Sequence, residues 1–403
     1  MELTLLGTGA PDGLPRPGCP CARCALATGP EARAATSLLV DHSLLLDLTP
    51  GAALAAARAG RSVHEVRQVL LSHPHDGPAM EFPAGLPSPV RVPDGQELSL
   101  ISGHRVRAVP LDAPGTGYEI VGPSGARMLY LPPGGAPAGL SPRQAPYDLV
   151  ASDVLGRPDA LARLRAVGAV TATTDVLAVH LGHQVPPGAE ARRRLAALGA
   201  RAEPDGTSLT VGEYREVPDV PRRTLVLGGV RSGKSVEAER RLAGFPDVVY
   251  AATGGGGQEG NGDPEWWERV EAHRERRPPG WRTVEGCDLV PLLAERDAAP
   301  LLVDCLARWL SDAMDRVNAW DDGAWRNGAR AELHKRAGEL VAAFRATRRT
   351  VVAVSEDTAS AGAPTGRAGR RFRDELGRLN AAVAEECEEV LLMVAGTACR
   401  LRG

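Results

Sequence analysis

The sequence predicts an α/β protein built from two domains. Its 403 residues are enough for two domains of about 200 residues each. In the second half, strand-like apolar runs alternate with helical segments, a pattern typical of a mostly parallel sheet with flanking helices. A glycine-rich loop joins one such run to a helical run at residues 224–242. A segment rich in proline and charge, residues 214–222, is predicted to link a first domain, residues 1–213, to a second, residues 223–403.

Composition excludes several classes of protein. A net charge of −3 with 24% charged residues provides no basic field of the kind that binds nucleic acid. No run of about 18 apolar residues is present, so no membrane span is expected. The chain opens with a strand-like run rather than a basic leader, and its seven cysteines are an odd number. We therefore expect a cytoplasmic protein with reduced thiols.

The pattern G-x-x-x-x-G-K-S lies between the predicted strand and helix, and it consists of Gly228, Gly229, Val230, Arg231, Ser232, Gly233, Lys234 and Ser235. In such a loop the backbone N–H groups and the positive end of the helix dipole face an anion. We expect Lys234 to contact the terminal phosphates of a nucleotide and the Ser235 hydroxyl to hold Mg²⁺. Of the 47 basic residues only Lys234 and Lys335 are lysines. A lysine kept here fits a loop too narrow for a guanidinium fork.

Two further candidates lie downstream of the loop. Asp304 ends the apolar run 300–303, and in phosphate-loop proteins a carboxylate at the end of a neighbouring strand holds Mg²⁺. His273 lies in the charged segment 265–277, which is predicted to be helical. A histidine on an exposed charged helix is, by itself, commonly only a solvated side chain.

Over about residues 223–403 the sequence resembles the family of bifunctional adenosylcobinamide kinases and adenosylcobinamide-phosphate guanylyltransferases. The resemblance rests on the order and spacing of several short motifs. The loop matches the family pattern G-G-x-R-S-G-K-S. The run from Arg269 to Pro278 matches R-I-x-x-H-x-x-x-R-P, with valine in place of isoleucine. The other matching blocks are Tyr250–Thr253, Trp281–Glu285, Asp304–Leu306 and Phe372–Asn380. Residues 357–364 depart from the family pattern E-V-G-x-G-x-x-P.

The resemblance implies two reactions. ATP or GTP first phosphorylates adenosylcobinamide; His273 then attacks GTP, and the guanylyl group passes to adenosylcobinamide phosphate. Besides the loop, the resemblance and the motifs together suggest nucleotide-binding roles for Thr253, Gly254, Gly255, Arg274, Glu275, Arg276, Arg277, Glu285 and Asp304. Mg²⁺ is expected at Ser235 and Asp304, and a homo-oligomer, with a trimer expected, follows from the family. The sequence leaves open whether ATP or GTP serves the first step, and whether both activities are retained.

The first half carries three closely spaced cysteines, Cys19, Cys21 and Cys24. Thiolates at this spacing are typical of structural zinc ligands. A zinc site is one interpretation of the cluster, and a loop of reduced thiols is the other. A fourth ligand is not evident nearby in the sequence.

The run 69–72 leads into His73, Pro74, His75, Asp76, Gly77 and Pro78. Together with Gly7-Thr8-Gly9 and the cysteines, this segment resembles the cyclic-phosphate phosphodiesterase branch of the metallo-β-lactamase fold, an αββα sandwich. Members of that branch have H-x-H-x-D-H at this turn, whereas Gly77 and Pro78 occupy the last two ligand positions here. Asp112, and Pro132 or Pro133, lie where two further ligands are expected, and His180 matches the final ligand.

Because most ligands are lost, we expect a scaffold without the two-metal clamp that activates water. The sequence leaves three other interpretations of this half open. A remnant of His73, His75 and His180 holds one metal ion; the half is a working metal-dependent phosphodiesterase; or it is an interaction or oligomerisation module.

Overall fold

The computed structural model describes residues 1–73, 85–142, 145–213, 220–253, 271, 275–296, 299–358 and 366–403. They form two compact units, Met1–Val220 and Pro221–Gly403. The division falls within the segment predicted as a linker. Among the described residues, no helix is both long and apolar enough to cross a membrane.

The first unit contains two sheets. Its strands are β1 Glu2–Gly7, β2 Ser37–Val40, β3 Leu44–Leu46, β4 Gln68–Leu70, β5 Glu97–Ser99, β6 Arg105–Val109, β7 Gly117–Val121, β8 Arg127–Tyr130, β9 Leu149–Ser152, β10 Asp175–Ala178 and β11 Ser208–Thr210. One sheet has the order β11-β1-β2-β3-β4 and the other β10-β9-β8-β7-β6-β5. The helices are α1 Ala22–Leu26, α2 Ala52–Arg58, α3 Pro158–Ala166 and α4 Ala189–Ala197.

Successive side chains along the strands point to opposite faces of each sheet, and this unit contains three apolar layers. Leu44 and Leu46 of β3 pack between the two sheets, whereas Leu45 faces the opposite side and packs with α2. On the second sheet, Leu129 of β8 packs with α3 and α4. Strands buried on both faces must be apolar at successive positions, as β3 is. The helix–sheet–sheet–helix order confirms the predicted αββα sandwich.

The second unit is a single seven-stranded sheet with helices on both faces. Its strands are β12 Arg223–Gly228, β13 Val249–Ala252, β14 Arg282–Glu285, β15 Leu301–Asp304, β16 Val351–Glu356, β17 Glu389–Val394 and β18 Thr397–Arg402. The helices are α5 Lys234–Leu242, α6 Leu289–Ala294, α7 Leu306–Arg316, α8 Arg330–Ala346 and α9 Arg367–Glu385. A helical turn, Asp322–Ala324, and a π-helical turn, Trp325–Ala329, precede α8.

The order of this sheet is β14-β13-β15-β16-β12-β17-β18, and only β18 pairs antiparallel. Leu225 of β12 faces a core shared with α7, α8 and α9, and its neighbour Val226 faces α5. The strand before the loop, β12, is flanked by β16 and β17, and β15 follows β16. This order is that of the RecA-like phosphate-loop fold, which confirms the prediction for the second half.

Candidate functional site

The phosphate loop connects the end of β12 to the first residue of α5, Lys234. Arg231 and Gly233 adopt left-handed conformations, with φ of 56° and 93°, which turn the chain between strand and helix. Gly233 is the N-cap of α5 and has no side chain to cap it, so the first N–H groups of the helix are available to an anion. At Gly228 a Cβ atom would lie 2.4 Å from Ser232 Oγ and 3.0 Å from the Met393 carbonyl oxygen. Only glycine therefore fits at the end of β12.

Lys234 and Ser232 both direct polar atoms into the loop. Lys234 Nζ donates to the Gly229 carbonyl oxygen at 3.1 Å, so the ammonium lies over its own loop. Ser232 Oγ is buried and has no hydrogen-bond partner within the described part of the chain. A phosphate oxygen would accept hydrogen bonds from both groups. It would also remove the cost of burying the Ser232 hydroxyl without a partner. The loop is thus suited chemically to an anion.

Asp304 lies where the sequence predicted it, at the carboxyl end of β15. Tyr250 of β13 donates from its hydroxyl to Asp304 Oδ2 at 2.7 Å. Burial, reinforced by the negative charge of Asp304, raises the pKa of Tyr250 well above its usual range, so Tyr250 stays a donor. The carboxylate is held from one side by this hydroxyl.

Charges from two strand ends and from the first residue of α5 act on the Cys305 thiol. Burial, followed by the negative charges of Asp304 and Glu356, raises its pKa to about 12, and the positive charge of Lys234 partly offsets them. Glu356 ends β16, where it pairs in register with Gly228. Its proximity to Lys234 and Asp304 was missed from the sequence, because the order of strands is not written in any local pattern.

Thr253, a predicted nucleotide contact, holds two strand ends together. Its hydroxyl accepts from the Cys305 backbone N–H and donates to the Cys305 carbonyl oxygen, both at 2.8 Å. Glu285 lies at the same edge, because it is aligned with Ala252, the residue that is also aligned with Asp304. The structure therefore places Thr253, Glu285 and Asp304 along one edge of the sheet.

The last two residues of the predicted histidine-bearing segment contact neighbouring elements, Arg277 the strands β13 and β14 and Arg276 the helix α5. Arg277 Cζ lies 3.4 Å from the centroid of the Tyr250 ring, and its Nη1 donates to Thr283 Oγ1 at 3.0 Å. Arg276 pairs with Glu239 of α5 at 3.0 Å, and this carboxylate raises the pKa of Arg276. Glu275 is exposed. Gly254, Gly255, His273 and Arg274 lie outside the described residues, and their roles stay predictions.

In the first unit, the three cysteines meet a histidine that the sequence analysis missed. His183 Nδ1 lies 3.3, 3.7 and 3.5 Å from the sulfur atoms of Cys19, Cys21 and Cys24. All four ligand atoms lie within 4.8 Å of one another. The backbone N–H of Cys24 is the main cause that lowers the pKa of the Cys21 thiol to about 6, which favours the thiolate that metals bind. Three sulfurs and one imidazole are the donor set of a tetrahedral structural zinc.

Two of the three histidines of the predicted remnant metal site, His73 and His180, lie among the described residues. His73 Nδ1 lies 3.7 Å from the fully buried Asp47, which accepts from Ser72 N at 2.7 Å, Ser72 Oγ at 2.6 Å and Tyr130 Oη at 2.6 Å. His180 is buried with Nε2 3.1 Å from the Leu131 carbonyl oxygen, and burial lowers its pKa to about 4. One nitrogen of His180 is therefore used inside the protein. His75, Gly77 and Pro78 lie outside the described residues.

Asp112, at a position expected to have lost a metal ligand, is engaged elsewhere. Its Oδ2 lies 2.8 Å from both Arg157 and Arg163, and its Oδ1 accepts from Ala136 N at 3.1 Å. Hydrogen bonding from Arg157 is the main cause that lowers the pKa of Asp112 far below its usual range. Pro132, expected to replace the bridging acid, is buried. The Asp112 carboxylate is thus engaged within the protein, and proline offers no side-chain atom to a metal.

The fold and the loop place the second unit in the class of phosphate-loop proteins. The chain belongs to the cobinamide kinase / cobinamide phosphate guanyltransferase family, whose model matches residues 224–401. The bifunctional adenosylcobalamin biosynthesis protein CobP of Pseudomonas aeruginosa is 39% identical over 185 residues, which are 45% of this chain and 98% of that protein. The protein CobU of Escherichia coli, described in the same words, is 32% identical over 187 residues, 44% and 98% of the two chains.

Solved structures similar to this chain include metallo-β-lactamase fold proteins. A diphosphatase of the PhnP family has a TM-score of 0.38 and 19% identity, covering 53% of this chain and 99% of its own. Zinc-bound PqqB from Methylobacterium extorquens has a TM-score of 0.38 and 17% identity, covering 52% and 100%. The metallo-β-lactamase fold protein YhfI from Bacillus subtilis has a TM-score of 0.32 and 13% identity, covering 52% and 98%.

Proposed function

We propose that this protein phosphorylates adenosylcobinamide with ATP or GTP and then transfers GMP from GTP to adenosylcobinamide phosphate, yielding adenosylcobinamide-GDP for cobalamin assembly. The observation that carries the proposal is the phosphate loop, where Lys234 Nζ lies over the Gly229 carbonyl oxygen and the buried Ser232 Oγ has no partner among the described residues. Asp304 and Glu356 lie at the end of the sheet where this loop begins. Phosphoryl transfer needs positioning and charge stabilisation more than covalent chemistry, and these groups supply both.

In the phosphorylation step, Lys234 and the loop N–H groups hold the phosphates and stabilise the charge of the transferred group. Ser235 and Asp304 offer hydroxyl and carboxylate oxygens, the hard donors that Mg²⁺ prefers. When bound, Mg²⁺ neutralises the negative charge that develops on the phosphates. Tyr250 orients the Asp304 carboxylate for that role.

In the guanylylation step, a neutral His273 nitrogen attacks the α-phosphorus of GTP. A phosphorus–nitrogen bond forms while the bond to the pyrophosphate leaving group breaks. The phosphate of adenosylcobinamide phosphate then displaces the histidine, which regenerates the free imidazole. Arg277, held on the Tyr250 ring, and Arg276, paired with Glu239, fix the end of the segment that carries His273 next to the phosphate-loop side of the sheet.

The experiment that tests the proposal is the intact mass of the full chain after incubation with GTP and Mg²⁺. The expected result is a covalent increase of one GMP, which disappears when adenosylcobinamide phosphate is added. An unchanged mass, with the nucleotide shown to bind, would contradict the guanylyl-histidine step. Product analysis with adenosylcobinamide and either ATP or GTP then identifies the phosphate donor.

For the first unit we propose a structural zinc ion at Cys19, Cys21, Cys24 and His183, and no hydrolytic activity. The donor set fits zinc, and Asp112 is held in ion pairs rather than directed at a metal. The unit then acts as a scaffold or interaction module. We also propose a homo-oligomer, with a trimer favoured, and a cytoplasmic location, which fits seven cysteines that form no disulfide in the structure.

A further inference from the structure

A cavity of about 400 Å³ lies between the turn that precedes α8 and the first half of α9. Its lining contains six arginines, Arg326, Arg330, Arg367, Arg370, Arg371 and Arg378, against three acids. The whole chain carries a net charge of −3, so this excess of three positive charges is a local feature and does not reflect general basicity. Of the lining residues, only Trp325 is apolar in character.

Two of the three acids in the cavity are already shared among several basic groups. Asp322 pairs with both Arg367, at 3.1 Å, and Arg371. Glu375 pairs with Arg378 and with His334, both at 2.9 Å. Arg326 and Arg330 have no acidic partner within the part of the chain that the structure describes. Arg326 Nε donates to the Asp322 carbonyl oxygen at 3.1 Å. The terminal N–H groups of the two guanidiniums are suited to bidentate contact with phosphate, and both residues line the cavity.

The start of α9 adds a second, independent indication. This 19-residue helix begins at Arg367 after Gly366, an N-cap residue that has no side chain to cap the first N–H groups. Its first turn contains Arg367 and Arg370 and no acidic residue. Basic side chains there oppose the helix dipole, so this arrangement is unfavourable without a counter-ion. An anion would be attracted by the free N–H groups, the dipole and the arginines together.

The cavity is separate from the phosphate loop, because none of its lining residues belongs to residues 228–235. The cavity nevertheless lies beyond the same end of the sheet as the phosphate loop. Strand β16 ends at Glu356, aligned with Gly228 where the loop begins, and α9 is the helix that follows β16. A ligand bound there would approach the sheet from the edge at which phosphoryl transfer is proposed.

We propose that this arginine-lined cavity binds the phosphate group of an anionic small molecule, as a second phosphate site besides the loop. The phosphate belongs either to a nucleotide or to a phosphate ester without a nucleoside. The second source includes the phosphorylated intermediate of the reaction, and that part rests on the proposed function.

The test uses the full chain with Lys234→Ala, which removes binding at the loop. Inorganic pyrophosphate and GDP are titrated separately by calorimetry into this chain and into the same chain with Arg326→Gln and Arg330→Gln. We expect the double substitution to weaken pyrophosphate binding about tenfold or more, because it removes two charged donors to the phosphate oxygens. Added salt should weaken it further. Arg348→Gln, an exposed arginine outside the cavity, is the matched control and should change affinity less than twofold.

Each outcome decides the proposal. Tighter binding of GDP than of pyrophosphate identifies a nucleotide as the ligand, and equal binding identifies the phosphate group alone. Arg326→Lys with Arg330→Lys keeps the charge and should restore part of the affinity. No saturable binding in the Lys234→Ala chain, or equal affinity with and without the two glutamines, would overturn the second site. Neither result would affect the guanylyl adduct test, so failure of this inference is distinguishable from failure of the proposed function.

Discussion

Tyr250 links two parts of the candidate site that are far apart in sequence. Its hydroxyl donates to Asp304 at 2.7 Å, and its ring lies 3.4 Å from Arg277 Cζ. One side chain therefore holds both the carboxylate expected to bind Mg²⁺ and the end of the segment that carries His273.

Tyr250→Phe removes the hydrogen bond to Asp304 and keeps the ring under Arg277. We expect the Mg²⁺ concentration for half-maximal phosphorylation to rise roughly threefold to tenfold, because a bond to a charged group contributes about 1.5–3 kcal/mol, part of which solvent replaces. Guanylyl adduct formation at saturating Mg²⁺ should change little. Tyr118→Phe, which removes a hydroxyl in the other unit, is the control. An unchanged Mg²⁺ dependence would show that Tyr250 does not position Asp304.

Lys234→Ala should abolish triphosphate binding at the loop and both reactions with it. Lys234→Arg should also bind triphosphate poorly. The planar guanidinium is wider than the ammonium, which lies within the loop 3.1 Å from the Gly229 carbonyl oxygen. The other lysine, Lys335, is exposed on α8 and provides the control, since Lys335→Ala should retain activity. Calorimetric titration with GTP measures the effect, and ordinary affinity in Lys234→Ala would exclude this role for the loop.

His273→Ala should lose the covalent guanylyl group and keep phosphorylation of adenosylcobinamide, because the first step needs no histidine nucleophile. A phosphoramidate is labile in acid and stable in base, so the wild-type adduct should disappear at low pH and survive in alkali. His334→Ala is the control within the same unit, where His334 pairs with Glu375. If an adduct still forms without His273, the nucleophile is another residue.

Elemental analysis should find about one zinc per chain, held at Cys19, Cys21, Cys24 and His183. His183→Ala should lower zinc content and also thermal stability, because a structural metal contributes directly to folding. His64→Ala, an exposed histidine outside the cluster, should change neither. Two additional transition metals per chain, or turnover of a cyclic phosphodiester, would show that the first unit is a hydrolase after all.

Acidification should destabilise the first unit through His180. Burial lowers its folded-state pKa to about 4, against about 6.5 in an unfolded chain. Between these values the unfolded state binds more protons, so stability that is complete above pH 6.5 is lost as the pH falls towards 4. The loss approaches roughly 3 kcal/mol. Calorimetric melting at several pH values should show this dependence, and His180→Gln should flatten it, whereas His64→Gln should not.

The sequence predicted features whose residues are contiguous and missed those that only folding brings together. The phosphate loop could be predicted because strand, loop and helix follow one another within twenty residues. His183 could not be paired with the cysteines, because 159 residues separate it from Cys24. The contact of Tyr250 with Asp304 and the position of Glu356 depend on strand order, which no local pattern encodes.

The ion pairs of Asp112 bear on how this chain could change over evolutionary time. Regaining a metal-binding histidine at this position by one substitution would leave Arg157 and Arg163 with Asp159 as their remaining shared carboxylate. It would also leave Ala136 N without its acceptor. The substitution that restores this ligand would thus carry a cost in stability, because it removes two ion pairs and a backbone hydrogen bond. Because Asp159 still neutralises part of the charge of the two arginines, this cost makes the reversal harder without blocking it.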